Sequence, residues 1–251
     1  MNDAPVRSLA SAIGATEPTT KKRTFDIVAP MRTVASTAEE TSKRIRAAAI
    51  ELFARNGFAA TGLRELAAEA QLTPAALYHY MGSKEDLLVD IMRSTIEPLD
   101  AAARETLARL ETPEEQLGAL VELHVWVHGS RPQATLVTDT ELRALQGEHR
   151  THVVGIRDRY EALWRETLTR GVEGGRFEVD DVALTAIGLL ELCTGVAHWY
   201  TTGGKHSLLE VCAMHADWAF GIVRARRDGD FLRRSDLALP APTECFPLQG
   251  G

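Results

Sequence analysis

The stretch LRELAAEAQLTPAALYHYM, residues 63–81, decides how this chain is read. Leu63, Leu66, Ala67 and Ala70 recur at helical spacing and mark a short helix, which breaks at Gln71-Leu72. A second helix opens at once. Thr73 can cap it by accepting a hydrogen bond from a backbone N–H, and Pro74 suits the first helical position, where no N–H is needed. Small Ala67 and Ala70 let the two helices cross closely, while Leu66 and Leu77 seal them onto a third element. The outer face of the second helix stays free, and it is short and polar-aromatic.

That third element lies upstream. From Thr41 onward Ile45, Ala49, Leu52 and Phe53 recur at i, i+4, i+7 and i+8, and Asn56-Gly57 supplies a left-handed stop. Residues 1–40, with Pro5, Pro18, Pro30 and the basic run Lys21, Lys22, Arg23, show no sustained period and are expected to be disordered. The basic run reads equally as a solvated tail or as an arm that tracks DNA. Downstream, Ser83 can cap a helix with Asp86 at its third position, near the positive end of the helix dipole. This helix is expected to run past Pro98 with a kink. Thr112-Pro113-Glu114-Glu115 forms a capping box that opens a helix to about His128. Further helices are expected over residues 133–145, 149–171, 181–200 and 207–227, with Gly174-Gly175 and Gly203-Gly204 as breaks. No segment alternates like a strand, and the tail over 228–251, with Pro240, Pro242 and Pro247, is expected to be unstructured. The reading is all-α, about nine helices in two unequal parts: a helix-turn-helix unit over 41–88 and a larger helical unit over 89–227.

With 251 residues, 45% of them hydrophobic, the chain can bury one sizeable core and a small accessory domain. The net charge of −7 argues against coating nucleic acid by bulk electrostatics. Its distribution is uneven: up to residue 95 there are 12 Lys and Arg against 11 Asp and Glu, and beyond it 16 against 24, so the acid sits away from the helix pair. Residues 182–199 are the most apolar window, but Asp180 and Asp181 precede it and Glu191 interrupts it, which favours a buried interface helix over a membrane span. The N-terminus has no continuous apolar segment of a secretion signal, so a cytoplasmic protein is expected. Cys193, Cys212 and Cys245 are odd in number, lack C-x-x-C spacing, and read as reduced packing residues.

Gly57-Phe58-Ala59-Ala60-Thr61, Leu66-Ala67, Leu72-Thr73-Pro74-Ala75-Ala76-Leu77-Tyr78 and Ser83-Lys84-Glu85-Asp86-Leu87 together resemble the signature of the TetR family of transcription regulators, over about residues 43–90. The resemblance implies a homodimer on double-stranded operator DNA. It also implies base contacts from the start of the recognition helix and phosphate contacts from its aromatic hydroxyls, pointing to Thr73, Ala75, Ala76, Tyr78, His79 and Tyr80. Alanine methyls can read thymine methyls. Lys84 is expected to meet a phosphate with the N-terminus of its helix behind it, and Arg64 and Lys43 are further phosphate candidates. The sequence departs from the family at three places. Gln71 stands where glycine is common, Met81 replaces phenylalanine, and Gly62 stands where a hydroxyl residue is usual, which shifts that phosphate contact to Thr61.

Glu141-Leu142-Arg143-Ala144-Leu145, the run from Arg157 to Trp164, and His198-Trp199-Tyr200 resemble the TetR subgroup that senses acyl-CoA thioesters and controls fatty-acid or steroid metabolism. Leu123, Trp126, Leu142, Leu145, Trp164 and Leu168 lie on apolar stripes that could line a lipophilic effector cavity or simply fill a core. Arg157, with Arg143 and Arg159, could meet an effector's phosphate or carboxylate. The last two long helices read as a dimer interface: Gly188, Leu192, Gly195 and Trp199 share one stripe, and Val211, His215, Trp218 and Ile222 give the other helix its apolar face. Two recognition helices held about 34 Å apart would read a palindrome. His124 and His128 stand at metal-ligand spacing, which keeps a helical metal-binding or enzymatic protein as the alternative, although no H-E-x-x-H pattern accompanies them. No catalytic constellation can be placed, and neither a cofactor nor a membrane is implied.

Overall fold

The computed structural model describes residues 34–227 and 229–247. The extension expected to be disordered lies outside the described residues up to 33, and residues 34–40 are already the first turns of α1 (Val34–Asn56). This helix buries Ile45, Ala49, Leu52 and Phe53 and ends where Gly57 takes φ +82°. Against it pack α2 (Leu63–Glu69) and α3 (Pro74–Tyr80), sealed by Leu66, Ala67 and Leu77, each fully buried. Between them Gln71 has φ +56°, the left-handed conformation that glycine adopts without strain. Met81 is buried against the same core.

α4 (Lys84–Leu107) opens on the expected capping box of Ser83 and Asp86 and carries Pro98 inside it. α5 (Pro113–Ser130) opens on the capping box of Thr112 and Glu115. α6 (Pro132–Thr140), α7 (Gly147–Glu173), α8 (Val182–Thr194), α9 (Val196–Trp199) and α10 (Leu208–Ile222) complete the larger unit. None of the residues of α5 is exposed. α10 packs closely on it: a methyl group added at Gly129 would sit 2.3 Å from Leu208, and one at Gly118 would sit 3.1 Å from Phe220.

Four expectations need correction. The helix expected over 207–227 ends at Ile222, and Arg226–Arg227 are extended. The helix expected over 133–145 ends at Thr140 and continues as a 3-10 turn, Glu141–Ala144. The helix expected over 181–200 is interrupted for one residue at Gly195. The tail expected to be unstructured is folded through residue 247: β1 (Arg226–Arg227) and β2 (Asp230–Phe231) form a minimal hairpin, and α11 (Pro242–Cys245) packs on α5. The tail is tied down by single contacts, with no apolar repeat to reveal it. Arg234 pairs with buried Glu122, and its backbone N–H donates to Asp217 Oδ1 at 2.6 Å. Trp126 Nε1–H donates to the Phe246 carbonyl at 3.1 Å.

Replacing Gln71 by glycine relieves the left-handed strain at the turn. Gln71→Gly is expected to raise unfolding stability by about 1 kcal/mol in urea denaturation, net of the extra chain entropy of glycine. A loss of stability would show that the Gln71 side chain holds the turn.

Candidate functional site

The outer face of α3 is built by its cap. The Thr73 hydroxyl accepts from Ala76 N–H at 3.2 Å, which fixes the first turn and leaves Thr73 and Ala75 exposed, with Ala76 half-buried. Leu77 turns inward, so Tyr78, His79 and Tyr80 face out, with Tyr78 56% and Tyr80 39% exposed. His79 and Tyr80 meet edge to face at 5.3 Å, an arrangement that steadies both rings. Exposed aromatics flanking a rigid, short helix suit contact with a polar partner surface.

Two residues expected at phosphates sit differently. Thr61 is buried, and its hydroxyl donates to the Gly57 carbonyl at 2.9 Å, so it caps the end of α1 and does not face outward. Lys84 reaches back across the α1–α2 connection, donating to the carbonyls of Phe58 at 2.7 Å and Thr61 at 2.9 Å, with its ammonium 4.3 Å from the centre of the Phe58 ring. Burial lowers its pKa. Lys84 therefore clamps the loop that carries the helix pair, and one of its three N–H groups is left for an anion. Arg64 is exposed, and Lys43 is exposed in an ion pair with Glu39 at 2.7 Å.

The larger unit encloses a cavity of about 340 Å³ between α4, α5, α6, α7, α8 and α9. Ile96, Leu99, Ile187 and Leu190 give it apolar walls, and His124, His128, Asp139, Arg157 and Tyr160 give it polar ones. Of the residues expected to line an effector cavity, only Arg157 does. Leu123, Leu145, Trp164 and Leu168 are core residues, Leu142 packs half-buried beside that core, and Trp126 is turned to the tail. Apolar stripes alone do not separate a cavity wall from a core, whereas the threonine-rich α6, with Thr135, Thr138 and Thr140, was a usable signal: small β-branched polar residues on a part-buried helix leave space and lone pairs.

The two histidines stack, with ring centres 3.9 Å apart. His124 has both nitrogens occupied, Nδ1 with the Tyr160 hydroxyl at 3.1 Å and Nε2 with the Thr194 hydroxyl at 3.0 Å. Burial, and secondarily the charges of His128 and Arg157, hold His124 well below the ordinary histidine value of 6.5, so its ring is neutral. His128 Nδ1 bonds to the His124 carbonyl at 2.9 Å. The four-residue spacing is thus used for hydrogen bonding, and no cluster of three or more His, Cys, Asp or Glu fit to hold a metal ion occurs among the described residues.

The residues expected at a dimer interface divide. Trp199, Trp218 and Ile222 are 55%, 46% and 49% exposed, whereas Val211 and His215 are buried, with the His215 ring 4.5 Å from that of Trp218 and 6.3 Å from that of Trp199. Gly188 faces open space, Leu192 is half-buried and Gly195 is the interruption between α8 and α9. Sequence reading missed Leu184, Ile187, Leu209 and Met214, which are exposed and extend the same apolar surface over α8 and α10. Buried Val211 and His215 adjoin exposed Trp218 and Ile222 on one stripe of α10, so periodicity groups them without saying where burial ends. Residues 182–199 have the length and mean hydropathy, 1.5, of a membrane span, but Gly195 interrupts the helix and Glu191 lines the cavity.

Comparison with known proteins bears on both regions. Residues 45–91 match the model of bacterial regulatory proteins of the tetR family, and residues 110–223 match the tetracyclin repressor-like C-terminal domain. The chain is 30% identical over 159 residues to the HTH-type transcriptional repressor KstR2 of Rhodococcus jostii, covering 62% of this chain and 78% of that protein. It is 32% identical to the TetR family regulator PfmR of Thermus thermophilus, with a TM-score of 0.64 over 73% of this chain and 99% of that one. A similar fold, TM-score 0.66 at 20% identity over 74% of this chain and all of the other, is seen in AibR in complex with isovaleryl coenzyme A and operator DNA.

Neutral His124 makes stability depend on pH. Its folded pKa lies below its unfolded value, so its contribution is complete above pH 6.5 and declines as pH falls and the unfolded chain takes up the proton. His215, lowered mainly by burial, acts in the same direction. Between pH 6.5 and 5.5 the wild type is expected to lose about 1 kcal/mol more than His124→Gln in urea denaturation. Equal losses would mean that His124 titrates freely in the folded protein.

Proposed function

Because the chain belongs to the TetR family of bacterial transcription regulators, we propose that it acts as a homodimer on palindromic operator DNA, with a largely lipophilic effector in the cavity adjusting its DNA affinity. The family regulates transcription and does not catalyse reactions. The observation that carries the reading is that α4 and α6 both wall the cavity and both pack against α1, the helix on which α2 and α3 are mounted. An occupant that fits one arrangement of α4 and α6 better than another therefore biases the placement of α3, which is the differential affinity that any switch needs. Thr95, Ile96 and Leu99 line the cavity on either side of Pro98, where the α4 hydrogen-bond ladder lacks a donor and bends most easily.

On DNA, α3 would lie in the major groove with Thr73, Ala75, Ala76 and His79 toward base edges. The Tyr78 and Tyr80 hydroxyls would donate to phosphates, and Arg64 and Lys43 would supply charge. Lys84 and Thr61 hold the loop that presents this surface. A second copy is the natural cover for the apolar face of α8 and α10, where Gly188 and Gly221 leave room for close helix approach. The best effector candidate is a fatty acyl-CoA or a related thioester, its acyl part inside and its carrier at the mouth. Support comes from the apolar walls and Arg157, and from the coenzyme A thioester named in the AibR complex. The protein would work in the cytoplasm, beside its DNA.

Fluorescence anisotropy on the palindromic DNA upstream of its own gene tests the DNA-binding surface. Tyr78→Ala with Tyr80→Ala is expected to weaken binding about tenfold or more while helicity and dimerisation persist. Arg64→Ala is expected to reduce the slope of log affinity against log salt by about 1. Unchanged affinity in the double variant would remove α3 from the interface.

A further inference from the structure

The cavity wall formed by α8 presents a hydroxyl that its own helix does not use. Thr95, Thr135, Thr138 and Thr140 also line the cavity, and each donates to a backbone carbonyl of its own helix, at 2.9, 3.0, 2.8 and 2.8 Å. Thr194 does not. Among the described residues its hydroxyl has one hydrogen-bond partner, His124 Nε2 at 3.0 Å, and Thr194 itself is only half-buried.

The hydrogens around His124 follow from what each atom can do. Its Nδ1 meets the Tyr160 hydroxyl at 3.1 Å, and a neutral imidazole carries one N–H and one lone pair. One of the two hydroxyls therefore donates to the ring, while the other accepts from it and keeps its own hydrogen free. Trp164 decides which. Its ring stands edge-on to Tyr160, with centres 6.5 Å apart, and its buried Nε1–H has no other partner. Burial raises the pKa of the Tyr160 hydroxyl, and Trp164 pulls against that rise, as a donor facing the hydroxyl oxygen does. Tyr160 then gives its hydrogen to Nδ1, His124 gives its Nε2–H to Thr194, and the Thr194 hydrogen is left for the cavity. Each bond in such a chain polarises the next, which makes the last O–H a stronger donor.

We infer that Thr194 is the donor for a neutral carbonyl oxygen of the effector; the inference rests on reading the cavity as the effector site. A carbonyl only accepts, so one donor satisfies it. Ile187, Leu190 and Thr194 fall at i, i+3 and i+7 on one face of α8 and all line the cavity, so an alkyl chain can run along the first two from a carbonyl at the third. A free carboxylate would accept as well, but Asp139, Glu161 and Glu191 set three carboxylates in the lining against the one guanidinium of Arg157. An ammonium has no lone pair to offer, and a plain hydrocarbon leaves the O–H unpaired. The class selected is a thioester or ketone with an apolar chain.

The test uses the full-length protein and 2-decanone, with protein in excess so that the ketone is bound. The infrared carbonyl stretch of the bound ketone is expected to lie below its position in heptane in the wild type and in Thr194→Ser. In Thr194→Val, or in Thr194→Ala if the valine variant does not fold, the stretch is expected at the heptane position and the calorimetric affinity about fivefold lower, the effect of one hydrogen bond. An unshifted stretch in the wild type, a shift that survives in the variant, or no binding of the ketone would each overturn the assignment. A parallel titration of operator-bound protein with decanoyl-CoA keeps the two claims apart. A hydrogen-bonded ketone without any thioester effect on DNA overturns the thioester alone, and a thioester effect without a hydrogen-bonded ketone overturns the Thr194 donor alone.

Discussion

A helix with no exposed residue must be enclosed by other helices, and α5 imposes that condition on the larger unit. α4, α6, α7, α8, α9, α10 and α11 all pack against it. Its apolar positions join the common core, but Glu114, Gln116, Glu122, His124 and His128 are buried too, and each has to find a partner. Those partners set the arrangement. Gln116 donates to the Leu110 carbonyl at 3.0 Å and accepts from Arg170 of α7 at 2.7 Å, Glu114 faces Arg176 at 3.5 Å, and Glu122 draws in Arg234. Burial pushes the Glu122 carboxyl up and Arg234 pulls it back, so the folded tail is the counterpart of a charge buried in the central helix.

The histidine pair of α5 marks where enclosure is incomplete. Around it the walls come from helices with a second duty. α6 turns Thr135, Thr138 and Asp139 to the cavity while packing on α1 and α4. α4 lines the cavity beyond its first turns, and at its start Lys84 holds the carbonyls of Phe58 and Thr61. Further ties join the units at this end: Arg46 pairs with Asp90 at 2.6 Å, and His149 of α7 stands 3.4 Å from Asp86. Rigid helices and short polar contacts thus connect the cavity walls to the loop that carries the helix pair.

Much of this was legible in the sequence. Caps at Thr73, Ser83 and Thr112, and the proline after two of them, fixed helix starts because capping depends on residues three positions apart. Gln71 stood out only as a departure from the family's glycine, and it takes the left-handed conformation in spite of its side chain. Long-range partners were not legible. Lys84 looked like a phosphate ligand because nothing local reveals carbonyls 23 and 26 residues away. Leu123, Trp164 and Leu168 looked like cavity walls because core and cavity share one apolar alphabet. The tail looked structureless because its order comes from Arg234, Leu237 and Phe246 acting one at a time, with no period to detect.

The central claim is that occupancy of the cavity changes the separation of the two α3 helices in a dimer. Pulsed electron-electron resonance on Ala75→Cys spin-labelled protein, with half-buried Cys245 replaced by serine, measures that separation directly. With saturating decanoyl-CoA the account predicts a shifted label-to-label distance distribution, and in the free protein a distribution that already contains the shifted distance as a minor part. Identical distributions with and without bound thioester would contradict it.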